Sequence, residues 1–377
     1  MDCFAICAPG LEPLVHAELT EASIKCAPIT GGVEWQGSSS SVAIANLWSR
    51  IATRIVVRTA NFRARTFFEL ERHANKIEWE QFVAKGSPVR FRVTCRKSRL
   101  YHSDAVAQRF QEAVARKIGG DIVVADGGED EAESETKSQL FIVRFDRDIC
   151  TVSADTSGAL LHRRGYRQAI AKAPLRETMA AAMLRASGWQ GKTPLVDPMC
   201  GSGTIPIEAA MIARRIPPGL DREFSFLAWA DADSERWKTL VDYSRSQILK
   251  ASPVRIAGSD RDAGAIEASR SNAERAGVVG DIEFAVQSVS AAVAVGDGLG
   301  AIITNPPYGE RLGETDAIRN LYAQVGNVAR KSFAGWTFGM LSPDKALESQ
   351  TKLPLEEQFK TSNGGIPVRF VSGVIPG

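Results

Sequence analysis

The segment 195–210 (LVDPMCGSGTIPIEAA) constrains the fold most, because it combines a short apolar strand, a glycine turn and a helix in immediate succession. The strand runs into Asp197, Gly201 and Gly203 form the turn, and a helix begins near Thr204. Pro206 occupies its first turn, where a missing N–H costs little. This pattern is typical of a parallel α/β sheet whose turn approaches a ligand closely.

The turn is not the dinucleotide-binding fingerprint, because Pro206 stands where G-x-G-x-x-G requires its third glycine. A tight turn without that glycine better fits a nucleoside that carries an amino acid than one that carries a pyrophosphate. Asp260 ends the next apolar-leaning stretch, at the position where an acidic group commonly binds the hydroxyls of a ribose.

A second polar loop follows another apolar strand, 301–304, and reads NPPYGERLG over residues 305–313. The Asn305 side-chain oxygen and the Pro306 carbonyl could each accept an N–H from a planar exocyclic amine, and Tyr308 could stack on the ring that carries it. Pro307 adds stiffness, since two successive prolines fix their φ angles. For these four residues alone, a proline-rich turn after a core strand is the alternative. The combination with the glycine turn and Asp260 favours a binding site.

These three motifs together resemble the signatures of class I S-adenosylmethionine-dependent RNA methyltransferases that modify the N2 amine of guanine. The resemblance includes LHRRGYR at 161–167 and APLRET at 173–178, and also GLEPLVHAEL, GGVEWQG and LWSRIATRI near the N terminus. It covers essentially the whole chain and favours the enzymes that act on 23S ribosomal RNA, in the form without a fused second methyltransferase.

The resemblance implies a role for individual residues of this sequence. Asn305, Pro306, Pro307 and Tyr308 would position the guanine. The cofactor, S-adenosylmethionine, would be bound by Asp197, Pro198, Gly201, Gly203, Thr204, Asp260 and Ser288. Ser288 departs from the pattern, because many relatives have an acidic residue there to bind the adenine amine, and a hydroxyl lacks that charge assistance. Glu310 and Arg311, just beyond the loop, would either contact the guanine edge or begin an exposed helix.

The predicted architecture is a Rossmann-like class I methyltransferase domain preceded by two smaller αβ units. Alternation and turn residues in the first 55 residues predict a ferredoxin-like domain. Residues 56–155 form a second αβ unit, which occupies the place of the THUMP RNA-binding domain in the resembling family. Residues 156–377 form the methyltransferase domain. Its segment 215–252, which contains Phe224, Phe226, Trp229 and Trp237, would be a lid or would pack against the sheet, and packing is the favoured interpretation.

The formal net charge of +2 conceals an uneven distribution of charge. Arg96 and Lys97 belong to a basic cluster near a predicted strand end, whereas residues 126–135 (DGGEDEAESE) are strongly acidic and predict a mobile loop. Arg163, Arg164 and Arg167 lie where the two halves of the chain join. All five basic residues are candidates for contacts with RNA phosphates, and an ordinary solvated surface or linker is the alternative.

Several classes of protein are disfavoured. The six cysteines form no C-x-x-C pair and the four histidines are scattered, so we predict neither a metal site nor a disulfide framework. The sequence has no apolar run of membrane-spanning length and no basic region before its first apolar stretch, which predicts a cytoplasmic protein without a signal peptide.

Three alternatives to the ribosomal RNA assignment remain open at this stage. NPPY also occurs in enzymes that methylate adenine N6 or the glutamine amide of release factors, although GERLG and the two N-terminal units argue against both. A transfer RNA guanine-N2 methyltransferase would share the same domains and loop. A non-catalytic RNA-binding or assembly factor could retain the pocket as a structural element.

Overall fold

The structure is a computed structural model that describes residues 1–119, 138–168, 175–308 and 315–377. The acidic run 126–135 and the two candidates Glu310 and Arg311 lie outside the described residues.

The N-terminal half alternates strands and helices as the sequence predicts. Its elements are β1 Asp2–Ile6, α1 Glu12–Glu21, β2 Ala27–Ile29, β3 Gly32–Gln36, α2 Ser39–Trp48, β4 Arg54–Arg63, α3 Phe67–Ala74, β5 Val89–Arg96, α4 Ser103–Ile118, β6 Gln139–Asp146 and β7 Ile149–Asp155. The sequence pattern predicts a helix over Ser103–Ile118 and a strand over Ile149–Asp155, which are the bounds of α4 and β7. The other strands and helices predicted for this half differ from the structure by a few residues at their ends.

Strand β4 joins the two predicted N-terminal units into one sheet. The strand order is β2-β3-β1-β4-β7-β6-β5. Residues 54–58 of β4 pair antiparallel with β1, and residues 56–63 pair antiparallel with β7. The predicted domain boundary between residues 55 and 56 therefore falls inside a strand whose Ile55, Val56 and Val57 are buried. Ten residues in extended conformation span roughly 33 Å, which is long enough for one strand to serve both units.

The C-terminal half forms a second seven-stranded sheet from the described residues, with strand order β10-β9-β8-β11-β12-β14-β13. Its elements are α5 Glu177–Ala186, β8 Leu195–Asp197, α6 Thr204–Ala213, α7 Ser234–Ser246, β9 Ile256–Asp260, α8 Ala263–Arg275, β10 Ile282–Val286, β11 Ala301–Thr304, α9 Thr315–Ser332, β12 Thr337–Ser342, α10 Lys345–Gln350, β13 Glu356–Asn363 and β14 Ile366–Val374. Strands β8 to β12 are parallel, and β14 is antiparallel to both β12 and β13.

The strand order reverses between β8 and β11. Successive strands β8, β9 and β10 extend the sheet in one direction, and β11 then pairs with the other edge of β8. The two loops that leave β8 and β11 diverge at this point, which opens a crevice beyond the carboxyl ends of the strands. The glycine turn and the NPPY loop are these two loops.

The aromatic residues of segment 215–252 pack within the fold, so the packing interpretation is confirmed. Phe224, Phe226 and Trp237 contact one another at ring-centroid distances of 5.5 to 5.8 Å. Trp229 packs edge-on against Phe82 and donates its indole N–H to the Gln139 side chain at 2.8 Å. This segment therefore contacts the N-terminal sheet as well as its own half of the chain.

The helices in the described parts of the chain include none that is both long and apolar enough to cross a membrane.

Candidate active site

A cavity of about 1590 Å³ lies at the point where the strand order reverses. It brings together the four predicted catalytic residues Asn305, Pro306, Pro307 and Tyr308, the predicted cofactor residues Pro198, Gly201, Asp260 and Ser288, and the arginines Arg163, Arg164 and Arg167. Residues that are far apart in the sequence thus share one cavity of a size suited to a nucleoside and a second planar group.

The glycine turn is shaped by hydrogen bonds from two neighbouring elements. The Gly201 N–H donates to the Asp260 carboxylate at 3.0 Å, and the Cys200 N–H donates to the Ser259 carbonyl at 2.9 Å. Gly201 and Gly203 have φ angles of +53° and +84°. A Cβ on Gly203 would also lie 3.0 Å from the Ser269 side chain on α8. Both glycines are therefore required by the backbone path of this turn.

Asp260 lies at the end of β9 and faces the cavity. Each of its carboxylate oxygens accepts one backbone N–H, from Gly201 and from Asp262, both at 3.0 Å. These bonds orient the carboxylate and still leave lone pairs for further donors. Ser288 lies beyond the end of β10, is exposed, and its hydroxyl is 2.6 Å from that of Ser290.

Asp197, Gly203 and Thr204 support the turn from behind and are absent from the described lining of the cavity. The Thr304 hydroxyl at the end of β11 donates to Asp197 at 2.8 Å, which ties the strand before the glycine turn to the strand before the NPPY loop. Asp197 also accepts the Met199 N–H at 3.2 Å. Burial nevertheless raises the pKa of Asp197 to about 7.

The NPPY loop presents a hydrogen-bond acceptor that the protein itself does not satisfy. The Oδ1 atom of Asn305 is buried and has no hydrogen-bond partner among the described residues. An unpaired buried acceptor costs about 1–3 kcal/mol, so such atoms are rare unless a ligand or water pairs with them. Pro306 is buried, Pro307 is exposed, and Tyr308 is buried with its ring at the cavity.

Two of the predicted RNA-binding arginines are already engaged inside the protein. The Arg164 side chain is 1% exposed, lies 3.5 Å from the fully buried Glu208 carboxylate, and donates to the carbonyls of Leu161 and Arg50. The sequence-based assignment of Arg164 to RNA is therefore not supported by this geometry, because its donors are used internally.

Arg167 is engaged in the same way. It donates to the Leu175 carbonyl at 2.6 Å and to the Thr204 hydroxyl at 2.8 Å, and it lies 3.3 Å from the Glu177 carboxylate. These contacts attach Arg167 to the start of α6, so it is not a free cation for an RNA phosphate.

Arg96 and Lys97 lie away from this cavity, at the end of β5 in the N-terminal sheet, and both are exposed. The end of β4, the segment after β5 and the turn between β6 and β7 meet there. Asp148 in that turn accepts the Arg99 N–H at 2.8 Å and the Arg65 guanidinium at 3.1 Å.

Several lining residues were not predicted. Helix α9 contributes Ala317, Asn320, Leu321 and Gln324, and the β13–β14 hairpin contributes Asn363, Gly364 and Ile366. The spacing of the α9 residues is that of one helix face, so the pattern would have indicated them once α9 was placed beside the cavity. No local sequence signal indicates the hairpin residues.

His162 also lines the cavity and was not predicted. Burial, together with the positive charges of Arg176, Arg163 and other nearby arginines, lowers its pKa to about 3. The imidazole is therefore neutral at pH 7. Groups of three or more metal-binding side chains are absent from the described residues.

Comparison with known proteins places the chain among methyltransferases. Residues 164–371 match the family model of the RMKL-like methyltransferase domain, and residues 2–56 match that of the RlmL ferredoxin-like domain. A ribosomal RNA large subunit methyltransferase K/L of Syntrophotalea carbinolica is 34% identical over 98% of this chain and 53% of its own length. The chain thus spans about half of that relative.

Two further relatives are similar over almost their full length. A putative RNA methyltransferase of Synechocystis sp. is 32% identical over 97% of this chain and 94% of its own. The crystal structure of SMU.472, a putative methyltransferase complexed with SAH, superposes with a TM-score of 0.87 at 29% identity, covering 100% of this chain and 98% of the other. The chain therefore belongs to the RMKL-like methyltransferase family, and it combines a class I Rossmann-like methyltransferase fold with an N-terminal ferredoxin-like domain.

Proposed function

We propose that this protein transfers a methyl group from S-adenosylmethionine to the exocyclic N2 amine of a guanosine in RNA, with 23S ribosomal RNA as the favoured substrate. In this proposal residues 1–55 are a ferredoxin-like domain, residues 56–155 are a THUMP domain that binds RNA, and residues 156–377 are the catalytic domain.

The unsatisfied Oδ1 of Asn305 is the observation that carries this proposal. It is a buried acceptor on the same cavity as the glycine turn and Asp260. A planar amine offers the N–H that this oxygen lacks, and the Pro306 carbonyl, which accepts no hydrogen bond from the described residues, offers a second acceptor one residue away. Two adjacent acceptors without donors fit an NH2 group better than a hydroxyl or a thiol.

The cavity also fits the cofactor. Asp260 has lone pairs free for a ribose hydroxyl pair, and Ser288 lies beyond the next strand, where the adenine would be bound. The turn at Gly201 and Gly203 lets the backbone approach the methionine end, and Asp197 and Thr204 hold that turn in shape. When bound, S-adenosylmethionine supplies a methyl group made electrophilic by the positive charge on its sulfur.

The residues of this chain act by positioning. Asn305 and the Pro306 carbonyl hold the two N–H bonds of the amine, which directs its lone pair out of the ring plane toward the methyl carbon. Once methylated, the amine would release one proton. His162, with a pKa near 3, would not retain this proton at neutral pH, so the proton is finally released to the solvent. Tyr308 stacks on the guanine. A guanine within an RNA duplex must first be extruded from the base stack to reach the site.

The choice of RNA rests on the relatives and on the exposed basic residues. The relative from Syntrophotalea carbinolica is named for the large ribosomal subunit RNA, and the one from Synechocystis for RNA. Arg96 and Lys97 are exposed at the end of the N-terminal sheet, and Arg163 lines the cavity, so these three are the proposed phosphate contacts. Arg164 and Arg167 are not included, because each lies in an ion pair with a buried carboxylate, Glu208 and Glu177 respectively.

The deciding experiment is incubation of the protein with tritiated S-adenosylmethionine and either undermodified 23S ribosomal RNA or total transfer RNA, followed by nucleoside mass spectrometry. N2-methylguanosine in the ribosomal RNA alone would support the proposal in full. The same product in transfer RNA alone would replace the substrate, methylated adenosine would overturn the base assignment, and no product in either RNA would reject the catalytic proposal for free RNA.

Replacing Asn305 by alanine directly tests the role inferred from its unpaired Oδ1 atom. Asn305→Ala should lower turnover by a factor of about 10² to 10³, the usual effect of removing one hydrogen-bonding group that acts in the transition state. Its affinity for S-adenosylmethionine, measured by isothermal titration calorimetry, should stay within about twofold of the wild type, since Asn305 is assigned to the amine. A variant that keeps most of its turnover would end the amine-positioning role.

A further inference from the structure

The Tyr308 hydroxyl is held by a residue from a distant part of the chain. The Asn363 side-chain N–H donates to the Tyr308 hydroxyl at 2.7 Å, across 55 positions of sequence. Asn363 is the last residue of β13, and Gly364 and Gly365, with φ angles of +57° and +82°, turn the chain into β14. The tip of this hairpin lines the same cavity as the NPPY loop.

The hairpin is firmly attached to the sheet, so Asn363 has a fixed position. Strand β14 pairs with β12 over six residues, from Thr337 opposite Val374 to Ser342 opposite Arg369. Strand β13 pairs with β14 up to the turn, and the Phe359 and Phe370 rings stack across them at 5.4 Å. The loop that contains Tyr308 leaves β11, the direct neighbour of β12. The hydrogen bond between Asn363 and Tyr308 therefore joins a hairpin and a loop that belong to the same sheet.

We propose that Asn363 is a positioning residue that fixes the ring of Tyr308 in the plane required for stacking on the target base. The effect of Asn363 on the reaction rests on the proposed function, whereas the hydrogen bond between Asn363 and Tyr308 does not. Tyr308 follows two prolines, and its ring turns about two side-chain torsions. A hydrogen bond at the far end of the ring restrains the tilt of its plane, which apolar packing alone restrains less. A tilted ring would move the base, and displacements of about 1 Å from reacting geometry are costly in rate.

Fluorine NMR tests the contact without any substrate. The full chain has five tyrosines, so labelling with 3-fluorotyrosine gives a simple spectrum, in which loss of a resonance in Tyr308→Phe assigns Tyr308. Asn363→Ala should shift that resonance. Ser362→Ala is the matched control, because Ser362 is exposed on the same hairpin and makes no side-chain hydrogen bond within the described residues. A Tyr308 resonance unmoved by Asn363→Ala would overturn the proposal.

A double-mutant cycle tests the consequence for the reaction. Asn363→Ala should lower kcat about fivefold to tenfold, the equivalent of one hydrogen bond, and should cause little further loss in a Tyr308→Phe background. Asn363→Asp supplies an acceptor for the Tyr308 hydroxyl and should keep kcat within about threefold of the wild type. Fully additive losses, or an aspartate variant as slow as the alanine variant, would overturn the positioning role.

Failure of the proposed function and failure of the positioning role of Asn363 would give different results. If the wild type methylates a base other than guanine, the proposed function fails, while the cycle is run on the product that forms. If it methylates no RNA, the fluorine experiment still shows whether Asn363 orders the Tyr308 ring. If N2-methylguanosine forms and Asn363→Ala, folded by circular dichroism, matches the wild type in kcat, only the positioning role is rejected.

Discussion

Charged residues are used in opposite ways at the edges of the two sheets. At the cavity of the C-terminal sheet, Arg164 and Glu208 have side chains 1% and 0% exposed and are paired with each other. At the end of the N-terminal sheet, Arg96 and Lys97 are exposed. The first group gives the cavity its shape, whereas the second remains available to a partner.

Two aspartates show the same contrast in their acidity. Burial raises the pKa of Asp197 beside the cavity to about 7. The Arg99 N–H, together with the hydrogen bond and charge of Arg65, lowers the pKa of Asp148 on the N-terminal sheet. Environment, not residue type, therefore decides whether an ionised side chain is favoured. A count of basic residues in the sequence cannot separate structural cations from those that contact RNA.

The largest effect should come from breaking the buried pair beneath the cavity. Arg164→Ala would leave the fully buried Glu208 carboxylate without its nearest cation, with Arg50 remaining 4.0 Å away. Removing one partner of a buried ion pair typically costs about 3–5 kcal/mol of unfolding free energy. Urea unfolding followed by circular dichroism measures this loss. Arg96→Ala, the control at the exposed end, should change stability by less than about 0.5 kcal/mol. Equal losses in the two variants would erase the proposed difference between the regions.

The second largest effect should be a pH dependence of stability that is caused by the ionisation of Asp197. Because its pKa in the folded protein is about 7 and its ordinary value is 3.8, the folded form binds more protons than the unfolded form between these values. The stability contributed by protonated Asp197 is thus present below about pH 4 and is lost as the pH rises toward 7, by at most about 4 kcal/mol.

Asp197→Asn keeps acceptors for Thr304 and Met199 but cannot ionise. The difference in unfolding free energy between wild type and this variant should therefore fall between about pH 4 and 7 and level off above that range. Urea titrations at intervals of half a pH unit would measure it. A difference that stays constant with pH would mean that Asp197 ionises as freely as an exposed aspartate.

Local sequence patterns predicted one side of the candidate site better than the other. The turn after β8, Asp260 after β9 and the NPPY loop after β11 each belong to a short strand-and-loop segment, so their positions follow from topology once the strands are recognised. Contacts across long sequence separations could not be predicted in this way. Glu208 lies 44 residues from Arg164, and Asn363 lies 55 residues from Tyr308.

The shared N-terminal sheet was missed for a related reason. Alternation in β4 predicts a strand but not how many partners it has, and both of its edges are paired at residues 56–58. A single strand that serves two units has the same local pattern as a strand that serves one. Pairing is a property of the whole sheet, and only the structure supplies it.

The smallest expected effect tests the exposed end of the N-terminal sheet. The double variant Arg96→Ala/Lys97→Ala should bind RNA on the order of tenfold more weakly. The slope of log affinity against log salt concentration should decrease by about two, because two cations that neutralise phosphates are removed. Filter binding or fluorescence anisotropy at salt concentrations from about 50 to 300 mM would measure both quantities. Stability should not change, since both side chains are exposed.

The charge-matched control is Arg236→Ala/Lys238→Ala, which removes two exposed cations from α7 in the C-terminal half. If both double variants weaken binding equally, the effect reflects only the total charge of the protein, and the end of the N-terminal sheet has no special role. If only the first variant does, phosphate binding is local to that end. The RNA must then reach from there to the cavity at the other sheet, so its length and shape, not the NPPY loop, would decide which guanosine is methylated.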